Sequence, residues 1–217
     1  MTTYKKALIF DFETTGLSAY NDQIIEIGAL SLNLVDGRFQ IQDELSCLVK
    51  ASKPLSPKIT EITNITDEML AKEGFTEEEA YKQLKKMYDE DTLLIAYNIQ
   101  FDLGFLKALF RKFENPSFVI LNDILDIMAV YKDRHKYPHR LENAVETYGV
   151  EMKSTHRALD DVKATYAVLK ALQQEKSNIY HYVNKIGYNA KYGVSGERLP
   201  HVKYIAQYGG RLEIENS

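Results

Sequence analysis

The chain has 217 residues, 45% of them hydrophobic, which suits one compact α/β domain or a domain with an appendage and is enough for a core of its own. A net charge of −4 and a pI near 5.8 argue against a protein that grips duplex nucleic acid over a broad basic surface, since such binding is mostly phosphate neutralisation. The single Cys47 excludes an internal disulfide, and neither a signal-type N-terminus nor an apolar run of about 18 residues is present, so the expectation is a cytoplasmic protein without a membrane span.

Taken in chain order, residues 5–11, 24–34 and 39–49 read as three successive strands, with "NDQ" and "VDGR" as the turns between them. Residues 58–90 read mostly as helix, with Thr66 as an N-cap and Phe75, Ala80, Leu84 and Met87 as an apolar stripe. "TLLIAY" (92–97) is then a short buried strand and "FDLGFLKALFRKF" a helix. A fifth strand is expected at "SFVILND" (117–123), followed by helical "ILDIMAVYK", a helix "LENAVETYG" ended by Gly149, and a long helix over 157–175. Three antiparallel strands followed by alternating α and β predict a mixed five-stranded sheet covered by helices.

The composition changes near residue 176. Residues 176–217 hold 6 of the 15 tyrosines, 5 of the 11 glycines and a net charge of +3, against −7 for residues 1–175. We therefore divide the chain into a domain at 1–175 and a Tyr/Gly-rich basic extension at 176–217. Period-2 alternation around Gly209-Gly210 predicts a β-hairpin in that extension.

The run "ALIFDFETTG" places two acids at the end of an otherwise apolar strand. Alternation puts Ala7, Ile9, Asp11 and Glu13 on one face, so both carboxylates project from one side, roughly 7 Å apart at Cα. Alone, a D-x-E of this kind is as readily a pair of solvated acids. Asp102 falls in the first turn of a helix that follows a buried strand, at the sheet edge where open α/β sheets place ligands, although an acid near a helix N-terminus also has a purely structural use. In "HRALDDVKATYAVLKAL" the buried stripe is Leu159, Val162, Tyr166, Leu169 and Leu172; Asp160 points away from it, whereas Asp161 flanks it and can face inward. Four converging carboxylates repel one another unless cations lie between them, and an all-oxygen set favours Mg²⁺ or Mn²⁺. Two such ions about 4 Å apart can hold a phosphodiester for hydrolysis. His156, on the loop entering the last helix, has the chemistry to accept a proton from the attacking water.

"FDFETTGL", "YNIQFDLGFL" and "HRALDDVKAT" resemble, in order and spacing, the three motifs of the DnaQ-like (DEDDh) 3′→5′ exonucleases, over about residues 4–173. The resemblance implies an RNase H-like three-layer α/β fold with the first strand central, antiparallel to the second and flanked on its other side by the fourth and fifth. It implies that Asp11, Glu13, Asp102 and Asp161 bind two Mg²⁺ or Mn²⁺ ions and that His156 is the general base, with Glu13 sharing in catalysis. Thr14, Thr15, Gly16 and Leu17 would line the substrate path, Leu17 as a wedge against the terminal base, with Asn98 and Phe101 as further contacts. The chain departs from the family at Tyr97-Asn98, where many members carry His-Asn. Asp123 and Glu26 read as structural acids with hydrogen-bonding partners rather than ligands.

The function this implies is release of nucleoside 5′-monophosphates from single-stranded or frayed 3′ ends, DNA being the first expectation. RNA trimming, or a non-catalytic domain of the same fold that binds a nucleic-acid end or a protein, is the alternative; loss of one of the five polar residues would mark the latter, and all five are present. No motif identifies a partner polymerase, a repair complex or an oligomeric state. Tyrosines interleaved with Lys185, Lys191, Arg198 and Lys203 suit either a stacking platform for a single strand or a surface packed on the domain or on a second subunit.

Overall fold

The computed structural model describes residues 4–36, 38–151 and 155–217. Gly37 of the expected "VDGR" turn lies outside the described residues. Strand β1 (Lys6–Thr14) is followed by β2 (Ile24–Val35) and β3 (Arg38–Leu48), then by helices α1 (Pro57–Thr63), α2 (Asp67–Glu73) and α3 (Glu77–Lys85). Strand β4 (Leu93–Ala96), helix α4 (Ile99–Phe113), strand β5 (Ile124–Asp126) and helices α5 (Ile127–Arg134), α6 (Leu141–Tyr148) and α7 (Ala158–Glu175) complete the main body. The sheet order is β3-β2-β1-β4-β5; β1 pairs antiparallel with β2 and parallel with β4, and β4 pairs parallel with β5. This is the expected mixed sheet with β1 at its centre.

Alternation along β1 divides the core as period 2 requires. Leu8, Phe10 and Phe12 pack with α3 and α4 on one face, whereas Ala7 and Ile9 pack with α5, α6 and α7 on the other. The helices form where caps and amphipathic spacing coincide. The Thr66 hydroxyl accepts the Met69 N–H, and Thr76 with Glu79 forms a capping box that starts α3. The helical stretch expected over 58–90 is therefore three short helices, each ended locally, α1 by Asn64 in the left-handed conformation.

Two expectations are corrected. The fifth strand is not at 117–123 but at 124–126. Phe118 N–H closes a turn on Asn115 C=O, and the buried Asn122 amide donates to the carbonyls of Asp89, Glu90 and Thr92. That polar clamp turns Val119 and Leu121 to solvent, and pairing with β4 begins only at Ile124.

The second correction concerns the extension. Gly209-Gly210 does not turn a hairpin: strand β6 (Lys185–Tyr188) pairs in parallel with β7 (Lys203–Ala206), the chain between them crossing over. Both glycines do take positive φ, but Gly209 lies against the His139 ring and Gly210 against His135 and Lys136, so the chain continues along α5 instead of returning on β7. It then winds around Asp133, a fully buried side chain that accepts from the Tyr182 hydroxyl, the Gln207 amide and the backbone N–H groups of Ile214 and Glu215. Asn184 continues the sheet edge, exchanging bonds with the backbone of Ile124. Of the six tyrosines here, Tyr182 is fully buried and Tyr192 and Tyr208 are exposed.

Candidate active site

The site begins where β1 parts from β4. Their pairing covers only Ala7–Ile9 with Leu93–Ile95, so the edge of β1 beyond Ile9 on that side has no strand partner. At Phe12 the place is taken by Asp102, whose Oδ1 accepts the Phe12 N–H at 3.1 Å. Asp102, 2% exposed in the first turn of α4, is thereby held between Asp11 and Glu13 along the chain.

On the other flank the register sets Asp11 opposite Gly28 and Glu13 opposite Glu26. Gly28 has no room for a side chain, since a Cβ there would lie 2.3 Å from the Ala158 carbonyl carbon. The bare backbone lets the first turn of α7 rest directly on β2 and brings Asp161 toward Asp11. Glu26, 1% exposed, fixes the same junction: it accepts three hydrogen bonds from the Arg157 guanidinium at 2.7–3.1 Å and a fourth from the Ala158 N–H. This is the structural, partnered role expected of Glu26.

His156 precedes that clamp with φ of 54°, a left-handed conformation uncommon for a residue with a Cβ. Its exposed ring comes in toward the acids: one ligand atom each from Glu13, His156 and Asp161 lies within 4.8 Å of the others, a grouping able to hold a metal ion. Asp161 Oδ1 also accepts the Thr155 N–H, while Asp160 turns aside to accept the Thr155 hydroxyl.

Burial and mutual repulsion disfavour the charged forms of the clustered carboxyls. Burial, then repulsion from Asp161 and Glu26, pushes the Asp11 carboxyl up to about 8. Burial, then repulsion from Asp11 and Asp161, pushes Glu13 up to about 9, with Arg157 opposing the rise. Asp102 is raised well above the ordinary carboxyl value by burial and by Asp11, against the pull of its backbone hydrogen bonds. Carboxyls raised in this way, by burial first and by mutual repulsion second, are groups at which a divalent cation competes well with protons. The residues present fit such an ion: the donors are oxygens plus one imidazole, with no thiolate among them.

The remaining sequence-selected residues surround this cluster. Thr14 is buried and its hydroxyl donates to Gly16 C=O; Thr15 exchanges bonds with Gln23; Gly16 presses on the Asp22 carboxylate. The turn so formed projects Leu17, 88% exposed. Asn98, exposed at the head of α4, has φ of 67°, and Phe101 packs half-buried on Phe105. Asp123 accepts from Tyr4 and Asn184, the structural role expected of it.

Sequence reasoning missed three contributors. Asp126 caps α5 through Met128 N–H and Ala129 N–H and also accepts the Asn98 N–H at 3.0 Å, tying the end of β4 to β5. Burial raises it to about 6 against those bonds. An Asp just before "IMAV" was an available cap signal, obscured by the misplaced fifth strand. Gly28 and Arg157 were the others; their roles depend on contacts across more than a hundred residues and leave no local signature.

The profile of the exonuclease family (RNase_T) matches residues 8–169. PolC-type DNA polymerase III of Latilactobacillus sakei is 32% identical over 86% of this chain, that of Bacillus subtilis 34% over 80% and that of Thermotoga maritima 36% over 74%. The chain spans only 11–12% of the length of those polymerases. In fold it is similar to E. coli exonuclease I in its single-stranded DNA complex, with a TM-score of 0.69 over 83% of this chain and 43% of that one at 19% identity. Another exonuclease I structure gives a TM-score of 0.71 at 21% identity over 82% of this chain and 43% of that one. With the five-stranded order, the acid cluster and the length of the profile match in agreement, the chain belongs to the DnaQ-like family of 3′→5′ exonucleases, which are phosphodiester hydrolases.

Proposed function

We propose that this chain removes nucleoside 5′-monophosphates from the 3′ ends of single-stranded or frayed DNA, with Asp11, Glu13, Asp102 and Asp161 holding two divalent cations, Mg²⁺ or Mn²⁺. The observation that carries the proposal is the convergence of Glu13, Asp161 and His156 within 4.8 Å, backed by Asp11 and Asp102. When bound, the cations supply Lewis-acid stabilisation of the phosphoryl oxygens and of the departing 3′-oxygen.

The protein's own groups do the rest. His156 takes the proton of the attacking water, for which its exposed ring beside Glu13 is suited. Asp102 is kept in place by the Phe12 N–H and Asp161 by the Thr155 N–H, so neither must reorganise as charge develops. Leu17, projecting from its turn, packs against the terminal base, while Thr14, Thr15 and Gly16 hold that turn. Asn98 and Phe101 face the strand from the head of α4. DNA is favoured by what the similar proteins are: DNA polymerases by name, and an exonuclease I complexed with single-stranded DNA.

The test is digestion of 5′-labelled single-stranded DNA and RNA of the same sequence with Mg²⁺, Mn²⁺ or EDTA. A ladder shortening from the 3′ end, with mononucleotide product, cation dependence and faster loss of DNA, is expected. Endonucleolytic products or activity in EDTA would overturn the assignment; faster loss of RNA would overturn the sugar preference alone.

A further inference from the structure

One surface next to the cluster is unused by the catalytic reading. Tyr97 does not face outward: its hydroxyl donates to His139 C=O at 2.8 Å, so the residue before Asn98 anchors the loop between α5 and α6. That loop, "HKYPHR" (135–140), is stiffened from within. His139 Nε2 lies 2.9 Å from His135 C=O, the His135 ring stacks on Tyr131, and His135 Nε2 lies 2.8 Å from the Tyr148 hydroxyl. Gly209 and Gly210 close on its other side, and the Gly210 N–H donates to Lys132 C=O.

The loop is thus a supported ledge, and aromatic rings and cations lie on it and beside it. Tyr137 is 84% exposed, Tyr208 is 61% exposed with Arg211 stacked over its ring, and Lys136 and Arg140 flank Tyr137. Lys132, half-buried at its base, lies within electrostatic reach of both Asp126, the acid that holds Asn98, and Glu213. Counter-charges lie nearby. Arg140 meets Glu142 at 3.5 Å with both side chains mostly in solvent, a weak pairing, and Glu213 accepts the Tyr208 N–H while lying within electrostatic reach of Lys132, which leaves Lys136 and Arg211 as the cations these two acids do not meet. Two exposed rings among four cations, on a protein whose net charge is −4, is a local concentration of the groups that bind single strands by stacking and phosphate contact.

We propose that Tyr137 and Tyr208, with Lys132, Lys136, Arg140 and Arg211, form a platform for the single strand upstream of the nucleotide being removed. The inference rests on the exonuclease reading and deepens it: the extension contributes to substrate binding through the ledge it supports. The bases of the strand stack on the two rings and its phosphates meet the cations, without sequence preference.

The full-length protein is tested as Tyr137→Ala, Tyr208→Ala and the double variant Lys136→Ala/Arg140→Ala, on a dinucleotide and on an oligonucleotide of about 20 residues. Stacking losses of this type predict a fall of about tenfold or more in the ratio of kcat/KM for the long substrate to that for the short one in either tyrosine variant. Affinity for the long strand, measured by fluorescence anisotropy in EDTA, should fall alike. In the double variant its dependence of log K on log salt should flatten by about 1.4, two single-strand phosphate contacts. Unchanged affinity and an unchanged ratio would overturn the platform while cleavage in the wild type left the exonuclease reading standing. If the wild type cleaved neither substrate, the exonuclease reading would fail and the anisotropy series would still decide the platform.

Discussion

Neutralising Asp11 should stabilise the metal-free protein at neutral and alkaline pH while abolishing its response to divalent cations. Asp11 has an ordinary value of 3.8 and is pushed up to about 8 in the fold. Between those limits the unfolded chain has released a proton that the folded chain retains, so stability is fully present below about pH 4 and is lost as pH rises toward 8. Each unit of that interval removes about 1.4 kcal/mol per such group, or roughly 3 kcal/mol between pH 5 and 7 for Asp11 alone. For a chain of this size that is a fall of about 6–12 °C in Tm. A cation at a hundred times its Kd returns about 2.7 kcal/mol. Thermal unfolding is therefore followed from pH 5 to 8.5, in EDTA and in Mn²⁺, for the wild type and Asp11→Asn. The wild type should lose stability with pH in EDTA and regain it with Mn²⁺; the variant should show a shallower pH slope, a higher Tm in EDTA at pH 8 and little Mn²⁺ response. Superimposable slopes for the two proteins in EDTA would refute the claim that burial and neighbouring acids raise the Asp11 carboxyl in the fold.

Three further outcomes are expected. His156→Ala should lower kcat by about 10²- to 10⁴-fold, the usual worth of a positioned base, with Mn²⁺ affinity by calorimetry changed far less; equal losses in both would make His156 a ligand. Arg157→Ala leaves the Glu26 carboxylate buried without its counter-ion and should cost about 3 kcal/mol in urea unfolding, whereas Glu26→Met/Arg157→Met should cost less because no lone charge remains. Gly28→Ala drives a methyl group into the backbone at Ala158, so activity should fall more than stability alone explains, with the loss persisting at a temperature where circular dichroism shows the variant folded.

Much of this architecture was legible because the signals were periodic or carried by short motifs. Alternation in "ALIFDFET" assigned both faces of β1 correctly, and the wheel of "HRALDDVKAT" separated inward Asp161 from Asp160. What was not legible depended on polar side chains acting at a distance. The apolar run 117–123 looks like a strand until Asn122 is seen clamping three carbonyls, and the alternation around Gly209-Gly210 looks like a hairpin until Asp133 is seen collecting the donors beyond it. The rise in tyrosine content near residue 176 marks a change of composition. Its geometry was not readable, because parallel pairing of β6 with β7 has no short-range sequence mark.

The buried Asp133 carboxylate bears on how this enzyme could be handled as a cassette. Cutting the gene after codon 175 would strip the Tyr182, Gln207, Ile214 and Glu215 donors from Asp133 in one stroke and uncover the apolar side chains of α5 and α7 that Ile179, Tyr182 and Ile214 cover. Anyone grafting the nuclease onto another scaffold should carry the last forty or so residues along, as the plug without which its wall does not close.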